Sequence, residues 1–190
     1  MNLTIHQPNF MPWYPFFQKM EQADIFIVLQ HCQYEKNGYQ NRFNINNKWC
    51  TMSTRRGKQP IIDKAYVNPI RDWQKIKTNL PQYQHVLELF DSCISESLSA
   101  TNIAIIQKIR DLLNINTRIV FDFQTELRAT DRLVNLCNFY NAETYISGLS
   151  GKNYLELEKF KEKNINIIFQ EEKNMKKVPI IKILSEKINV

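Results

Sequence analysis

Four short segments carry side chains whose types and spacing suit the binding and deprotonation of a small polar molecule. The first is His6-Gln7-Pro8-Asn9-Phe10-Met11-Pro12-Trp13. Its prolines stiffen the backbone, Gln7 and Asn9 offer carboxamides, and Trp13 can wall a pocket. His6 can act as a general base or hydrogen-bond a substrate oxygen near neutral pH; its plainer role is to tie down a proline-rich loop. The second segment, Gln30-His31-Cys32-Gln33-Tyr34, sets a thiol beside an imidazole, the pairing that activates a thiolate nucleophile. Most lone cysteines are inert core residues, which leaves Gln33 and Tyr34 as the hydrogen-bonding and stacking groups. The third is Asn41-Arg42, where a guanidinium can fork onto carboxylate or phosphate, or equally guard an edge strand with charge. The fourth, Ser147-Gly148-Leu149-Ser150-Gly151-Lys152, offers hydroxyls and backbone N–H groups as an anion cradle. Its simpler reading is a strand–helix turn capped by Ser150. It matches neither the Walker loop nor the GxSxG elbow. It does hold two of the four glycines in the chain, which implies a backbone requirement at Gly148 and Gly151.

The charge distribution points the same way. The net charge of +6 comes from residues 48–77, where Lys48, Arg55, Arg56, Lys58, Lys64, Arg71, Lys75 and Lys77 face only Asp63 and Asp72. The remaining residues balance. A local site for an anion fits this pattern better than a nucleic-acid coat, since the aromatics do not interleave with these basic residues as a stacking platform would require. Cys32, Cys50, Cys93 and Cys137 show no CxxC pair, and the three histidines have no metal-ligand spacing, so reduced thiols and no bound metal are expected. Apolar runs such as Ile25–Leu29 are strand-sized, too short to cross a bilayer. The amino terminus does not read as a signal peptide. A cytoplasmic location is the corresponding expectation.

The positioning elements follow from periodicity. Leu3–Ile5 reads as a short strand, Pro15–Gln22 as a helix, and Ala23–Leu29 as a strand covered on both faces. Tyr39–Ile45, Trp49–Thr54 and Ile61–Val67 suggest an antiparallel excursion, with Tyr39, Phe43 and Ile45 on one face and Gln40, Arg42 and Asn44 on the other. The stretch from about Asp72 to Leu113 is helical, its last helix capped by Thr101 and packed through Ile103, Ile106, Ile109, Leu112 and Leu113. Then strands (Arg118–Phe123, Thr144–Ser147, Ile165–Gln170) alternate with helices (Asp131–Tyr140, Asn153–Lys163, Pro179–Ile188). Trp73, Tyr83 and the aromatics of 131–140 read as packing residues. The expected fold is α/β: a Rossmann-like layered arrangement with a mainly parallel sheet, an antiparallel β excursion and a helical middle segment, in one domain over 1–190. In such sheets ligands bind beyond the carboxyl ends of the strands, where the first two segments and the fourth fall.

The order and content of these segments resemble the WbqC-like family. The resemblance is carried by Gln7, Pro8, Phe10, Pro12 and Trp13, then Asp24, Gln33-Tyr34, Asn41-Arg42, Thr130 with Arg132-Leu133, and Tyr145-Ile146-Ser147-Gly148 with Tyr154. It implies bacterial surface-polysaccharide biosynthesis, usually in an O-antigen setting, with glycyl or other aminoacyl transfer onto an amino sugar suggested for some members. It adds Arg132 and Tyr154 to the substrate-binding set. The chain departs from the family at Gln30 and His31, where acidic residues are common, and in ending on a short basic helix. The leading expectation is a cytoplasmic transferase acting on a nucleotide-activated sugar or similar phosphorylated molecule. In it His6 is the base, Arg42 and the Ser147–Gly151 loop hold phosphate or carboxylate, and Gln7, Asn9, Gln33 and Asn41 orient polar groups. Its co-reactant would be ATP or an activated acyl or aminoacyl donor, with aminoacyl-tRNA one possible source. Two alternatives stand beside it. One is an adenylyl-transferase-like enzyme, although Asn9 occupies the position of an expected second histidine. The other is a non-catalytic protein that binds RNA or a membrane surface through residues 48–77.

Overall fold

The computed structural model describes residues 1–188, which form two compact units. The first comprises Met1–His6, Pro15–Leu29 and Ile115–Lys176; the second comprises Gln7–Tyr14, Gln30–Asn114 and the chain from Lys177. The fold is α/β, with a five-stranded parallel sheet and a separate antiparallel pair.

In the first unit β1 (Asn2–His6), β2 (Ile25–Val28), β5 (Arg118–Phe121), β6 (Thr144–Ser147) and β7 (Asn166–Phe169) lie in the order β5-β2-β1-β6-β7. The four residues of β2 are all buried, as an uninterrupted Ile-Phe-Ile-Val run requires of a strand with both faces covered. On one face Leu3, Ile5, Ile25 and Ile27 join Leu133, Leu136 and Cys137 of helix α5 (Ala129–Phe139) and Phe160 of α6 (Leu157–Lys161). On the other, helix α1 (Tyr14–Glu21) stacks the Phe16 ring against Phe26 at 5.1 Å. Burial pushes the Cys137 thiol up to about 12, so it is an inert core group. Phe139, expected to pack inward, is instead 61% exposed, with its ring against Phe123 and Tyr140. The helix expected over 153–163 is shorter: residues 149–153 form a 3₁₀ turn and α6 begins only at Leu157.

In the second unit β3 (Arg42–Ile45) and β4 (Lys48–Thr51) pair from Arg42↔Thr51 to Ile45↔Lys48. Asn46 and Asn47 turn the hairpin with φ of 50° and 59°, the left-handed pair such a two-residue turn demands. The strand expected from Tyr39 starts only at Arg42; Tyr39 is exposed and Gln40, expected on the polar face, is buried. Ile61–Val67 is not a strand: Ile61–Asp63 form a 3₁₀ turn after Pro60, and isolated bridges at Ala65 and Tyr66 follow. Helices α2 (Pro69–Asn79), α3 (Gln84–Leu87), α4 (Leu98–Leu112) and α7 (Ile180–Ile188) complete the unit. The cap of α4 is Ser97, whose oxygen accepts from the Ala100 amide, whereas Thr101 is buried in the first turn. Its buried stripe runs through Leu98, Asn102, Ile105, Ile106 and Ile109, rotated from the expected one. Trp73 is buried as expected and donates to Asp91 at 2.7 Å.

Candidate functional site

The sheet reverses direction of growth at β1: β2 and β5 lie to one side, β6 and β7 to the other. Such a switch point is where open α/β sheets leave a crevice. The register shows it opening. β1 follows β2 as far as His6↔Val28, and β6 follows β7 as far as Ser147↔Phe169, but β1 and β6 stop pairing at Thr4↔Ile146. Below that point the Thr4 hydroxyl pins the strands by donating to the Ile146 carbonyl at 2.7 Å. Beyond it, His6 still pairs with β2 and Ser147 with β7, on either side of the seam. The half-buried His6 ring packs edge-on against Phe16 at 4.8 Å. Ser147 is buried, and its hydroxyl donates to the Gly148 carbonyl at 3.2 Å.

The two glycines after β6 differ in kind. Neither has positive φ. A Cβ on Gly151 would lie 2.1 Å from Ser147 Oγ and 3.0 Å from Leu155 Cδ1, whereas one on Gly148 would meet nothing closer than 3.8 Å. Gly151 is thus required by close approach and Gly148 is not. Ser150 is exposed inside the 3₁₀ turn and caps no helix; α6 is preceded by Glu156, without a side-chain cap. Tyr154 is exposed, and partial burial raises its phenol above its usual range. Arg132 is buried against Asp122, Nη2 to Oδ2 at 2.5 Å. Asp122 follows β5, its amide donating to the Val28 carbonyl, so this pair braces the carboxyl edge on the β5 side.

The sequence did not single out Asp122 or Lys19. Lys19 lies on α1 and is 3% exposed, with Nζ donating to the Ile5 carbonyl at 3.1 Å. Burial lowers its pKa to about 7. The available signal was helical spacing: Lys19 shares an arc with the buried Pro15, Phe16 and Met20.

The other expected residues lie in the second unit. Gln7 accepts from Gln40 Nε2 at 2.5 Å and donates to Cys32 Sγ at 3.3 Å. Asn9 is buried and Trp13 is half exposed. Gln33 donates to the Gln59 carbonyl at 2.8 Å, and the Tyr34 ring lies under Lys64 Nζ at 4.8 Å. Asn41 is spent on the Met52 carbonyl at 2.7 Å, with the Met52 amide returning the bond. Arg42 holds a loop: Nε donates to the Gly38 carbonyl and Nη2 to that of Asn37, with the guanidinium 4.1 Å over the Trp49 ring. The basic segment is also partly spent. Lys64 is buried and donates to the Gly57 carbonyl, and Lys77 pairs with Asp91 at 2.8 Å.

A cavity of about 340 Å³ opens beside the end of β7, lined by Gln18, Gln22, Phe169, Gln170, Glu171 and Asn174 among others. Its lining holds no cation and one carboxylate, Glu171, so its charge does not favour a phosphate. No group of His, Cys, Asp or Glu able to hold a metal ion occurs among the described residues, and no helix among them is long and apolar enough to cross a membrane.

The model of the WbqC-like protein family matches residues 7–179. Among curated proteins, the chain is similar to "Uncharacterized protein Rv1507c" of Mycobacterium tuberculosis (strain ATCC 25618 / H37Rv), 27% identical over 87% of this chain and 80% of that protein. No solved structure gives a significant match.

Proposed function

Because this chain belongs to the WbqC-like protein family, we propose that it is a cytoplasmic transferase moving an acyl group, most simply glycyl or another aminoacyl, onto the amine of a nucleotide-activated amino sugar used in surface-polysaccharide assembly. The observation that carries the reading is the seam where β1 and β6 part, with an imidazole on one lip and a hydroxyl and glycine on the other. The crevice rule supports that seam as the place for a phosphorylated ligand. In the reaction the acceptor nitrogen attacks the acyl carbon of the donor. A C–N bond forms, the bond from that carbon to the donor's leaving group breaks, and the proton shed by nitrogen passes to His6. A histidine suits this step because its pKa lies near the working pH. The Ser147 hydroxyl and the backbone that follows it bind a phosphate or carboxylate oxygen. Arg132, locked onto Asp122, fixes the edge and does not itself touch substrate.

The test is incubation of the protein with nucleotide amino sugars and free amino acids plus ATP, or with glycyl-tRNA, and mass spectrometry of the products. A sugar nucleotide heavier by one aminoacyl residue is expected, and the product should be lost in His6→Ala. An unchanged acceptor across the whole panel sinks the proposal. Release of pyrophosphate from ATP without an acylated product would point to nucleotidyl transfer instead.

A further inference from the structure

An ammonium has three N–H donors. Among the described residues that of Lys19 finds one acceptor, the Ile5 carbonyl, and no carboxylate pairs with it. A buried charge held so sparsely costs several kcal/mol in general, so the side chain is conspicuous in a helix otherwise packed through Phe16, Phe17 and Met20. The carbonyl that it holds explains its place. The carbonyls of Asn2 and His6 accept from Asp24 and Leu29, on the β2 side, while that of Met1 accepts from Thr144, on the β6 side. Successive carbonyls of a strand alternate, so the Ile5 carbonyl faces β6. Pairing with β6 has ended one residue earlier, at Thr4↔Ile146. Lys19 therefore replaces the next β6 amide, and its ammonium sits in the seam.

We infer that Lys19 is the anchor for an oxyanion of the substrate, a phosphate or carboxylate oxygen that enters the seam between β1 and β6 and supplies the acceptors that the ammonium lacks. The inference rests on reading that seam as the substrate site. The other charged groups on the elements around α1 are placed elsewhere or committed. Asp24 accepts from the Asn2 amide at the amino edge, Asp122 is closed by Arg132, and Glu171 accepts from Asn174 and pairs with Lys173. His6 ends β1 at the same edge, Glu21 closes α1 at its other end, and the segment bonded to Gln18 through Asn174 and Lys176 adds Glu172, Lys173 and Lys176. Burial holds the free amine to a pKa of about 7, and an adjacent anion raises it, so binding takes up a proton.

The probe is sulfate, an oxyanion whose charge is constant over the range used. Calorimetric titration of the full chain should show saturable binding that weakens about 30-fold between about pH 6 and about pH 8.5, as the charged fraction of a group titrating near 7 falls. Lys19→Met, which removes the charge and keeps the shape, should bind at least about tenfold more weakly and lose most of the pH dependence. Equal affinity and an equal pH profile in Lys19→Met would overturn the inference, as would no saturable binding to the wild type at tens of millimolar sulfate. A second measurement needs no variant. With ¹³C at the lysine Cε, the Lys19 resonance should titrate near 7 without sulfate and at least about one pH unit higher with it; an unmoved midpoint also overturns the inference. The outcomes separate from those of the transferase reading. Group transfer with sulfate binding indifferent to Lys19 removes the anchor and leaves the transferase. A Lys19-dependent anion site with no transferred group does the reverse.

Discussion

Lys19→Met should stabilise this protein, and by an amount that depends on pH in the direction opposite to that of a lysine paired with a carboxylate. In the unfolded chain Lys19 titrates at the ordinary 10.5; in the folded chain burial lowers it to about 7. Between those values the unfolded state holds a proton that the folded state does not, so stability rises with pH across that window. Above about pH 10.5 both forms are neutral and the penalty is gone; below about 7 it is paid in full, at about 5 kcal/mol from the size of the depression. That is comparable with the whole stability of many domains. Methionine carries no such charge and keeps the packing among Phe16, Phe17 and Met20, but it takes the donor from the Ile5 carbonyl, a cost of about 1–3 kcal/mol that does not vary with pH. Urea unfolding of both proteins at a series of pH values should therefore find Lys19→Met the more stable by several kcal/mol near neutrality, with the gap shrinking by about 2 kcal/mol between about pH 7 and about pH 9. Other titrating groups are common to both proteins and cancel in the difference. Parallel stability curves would refute the reasoning, because they mean that folding imposes no pH-dependent penalty on the Lys19 ammonium.

The two glycines after β6 should part company. Gly151→Ala forces Ser147 or Leu155 to move and should cost about 1–3 kcal/mol, while Gly148→Ala, at φ −69°, should be neutral or gain a few tenths; thermal melts decide. Arg132→Met removes the guanidinium from a buried ion pair and should lose about 3–5 kcal/mol, part of which Asp122→Leu in the same chain should restore. Arg42→Ala should free the loop at 37–38 without touching the hairpin ladder, seen as faster proteolysis near Asn37 with an unchanged circular dichroism spectrum.

What could be read in advance depended on how far a side chain's job is set by its neighbours in sequence. β2 was legible because four consecutive apolar residues have no polar face to show water. Ile61–Val67 is also mostly apolar, though Asp63 and Lys64 interrupt it; Pro60 starts a 3₁₀ turn and the backbone groups beyond it go to scattered partners such as Ser53, Glu96 and Ser97. Its apolar content reported burial and nothing about pairing. Arg42 and Asn41 were recognisable as important residues, but their partners, the carbonyls of a neighbouring loop and strand, are a property of the folded backbone. Lys19 was the hardest to see. A lysine in an amphipathic helix normally faces water, and only the breadth of the apolar arc on α1 pointed inward.

The seam also has a history within each molecule. β1 can pair with β2 once the first twenty-eight residues exist, but Thr4 must wait for Ile146, 142 positions later, before its other edge is covered. Residues 30–114 of the second unit are synthesised in the interval. During synthesis β1 therefore presents an open edge for longer than any other central strand, and non-local pairings of this kind are slow to form and exposed to misassembly. The lips that part beyond Thr4 and Ile146 mark where the chain finally closes on itself, so the proposed ligand site is among the last features of the protein to come into being.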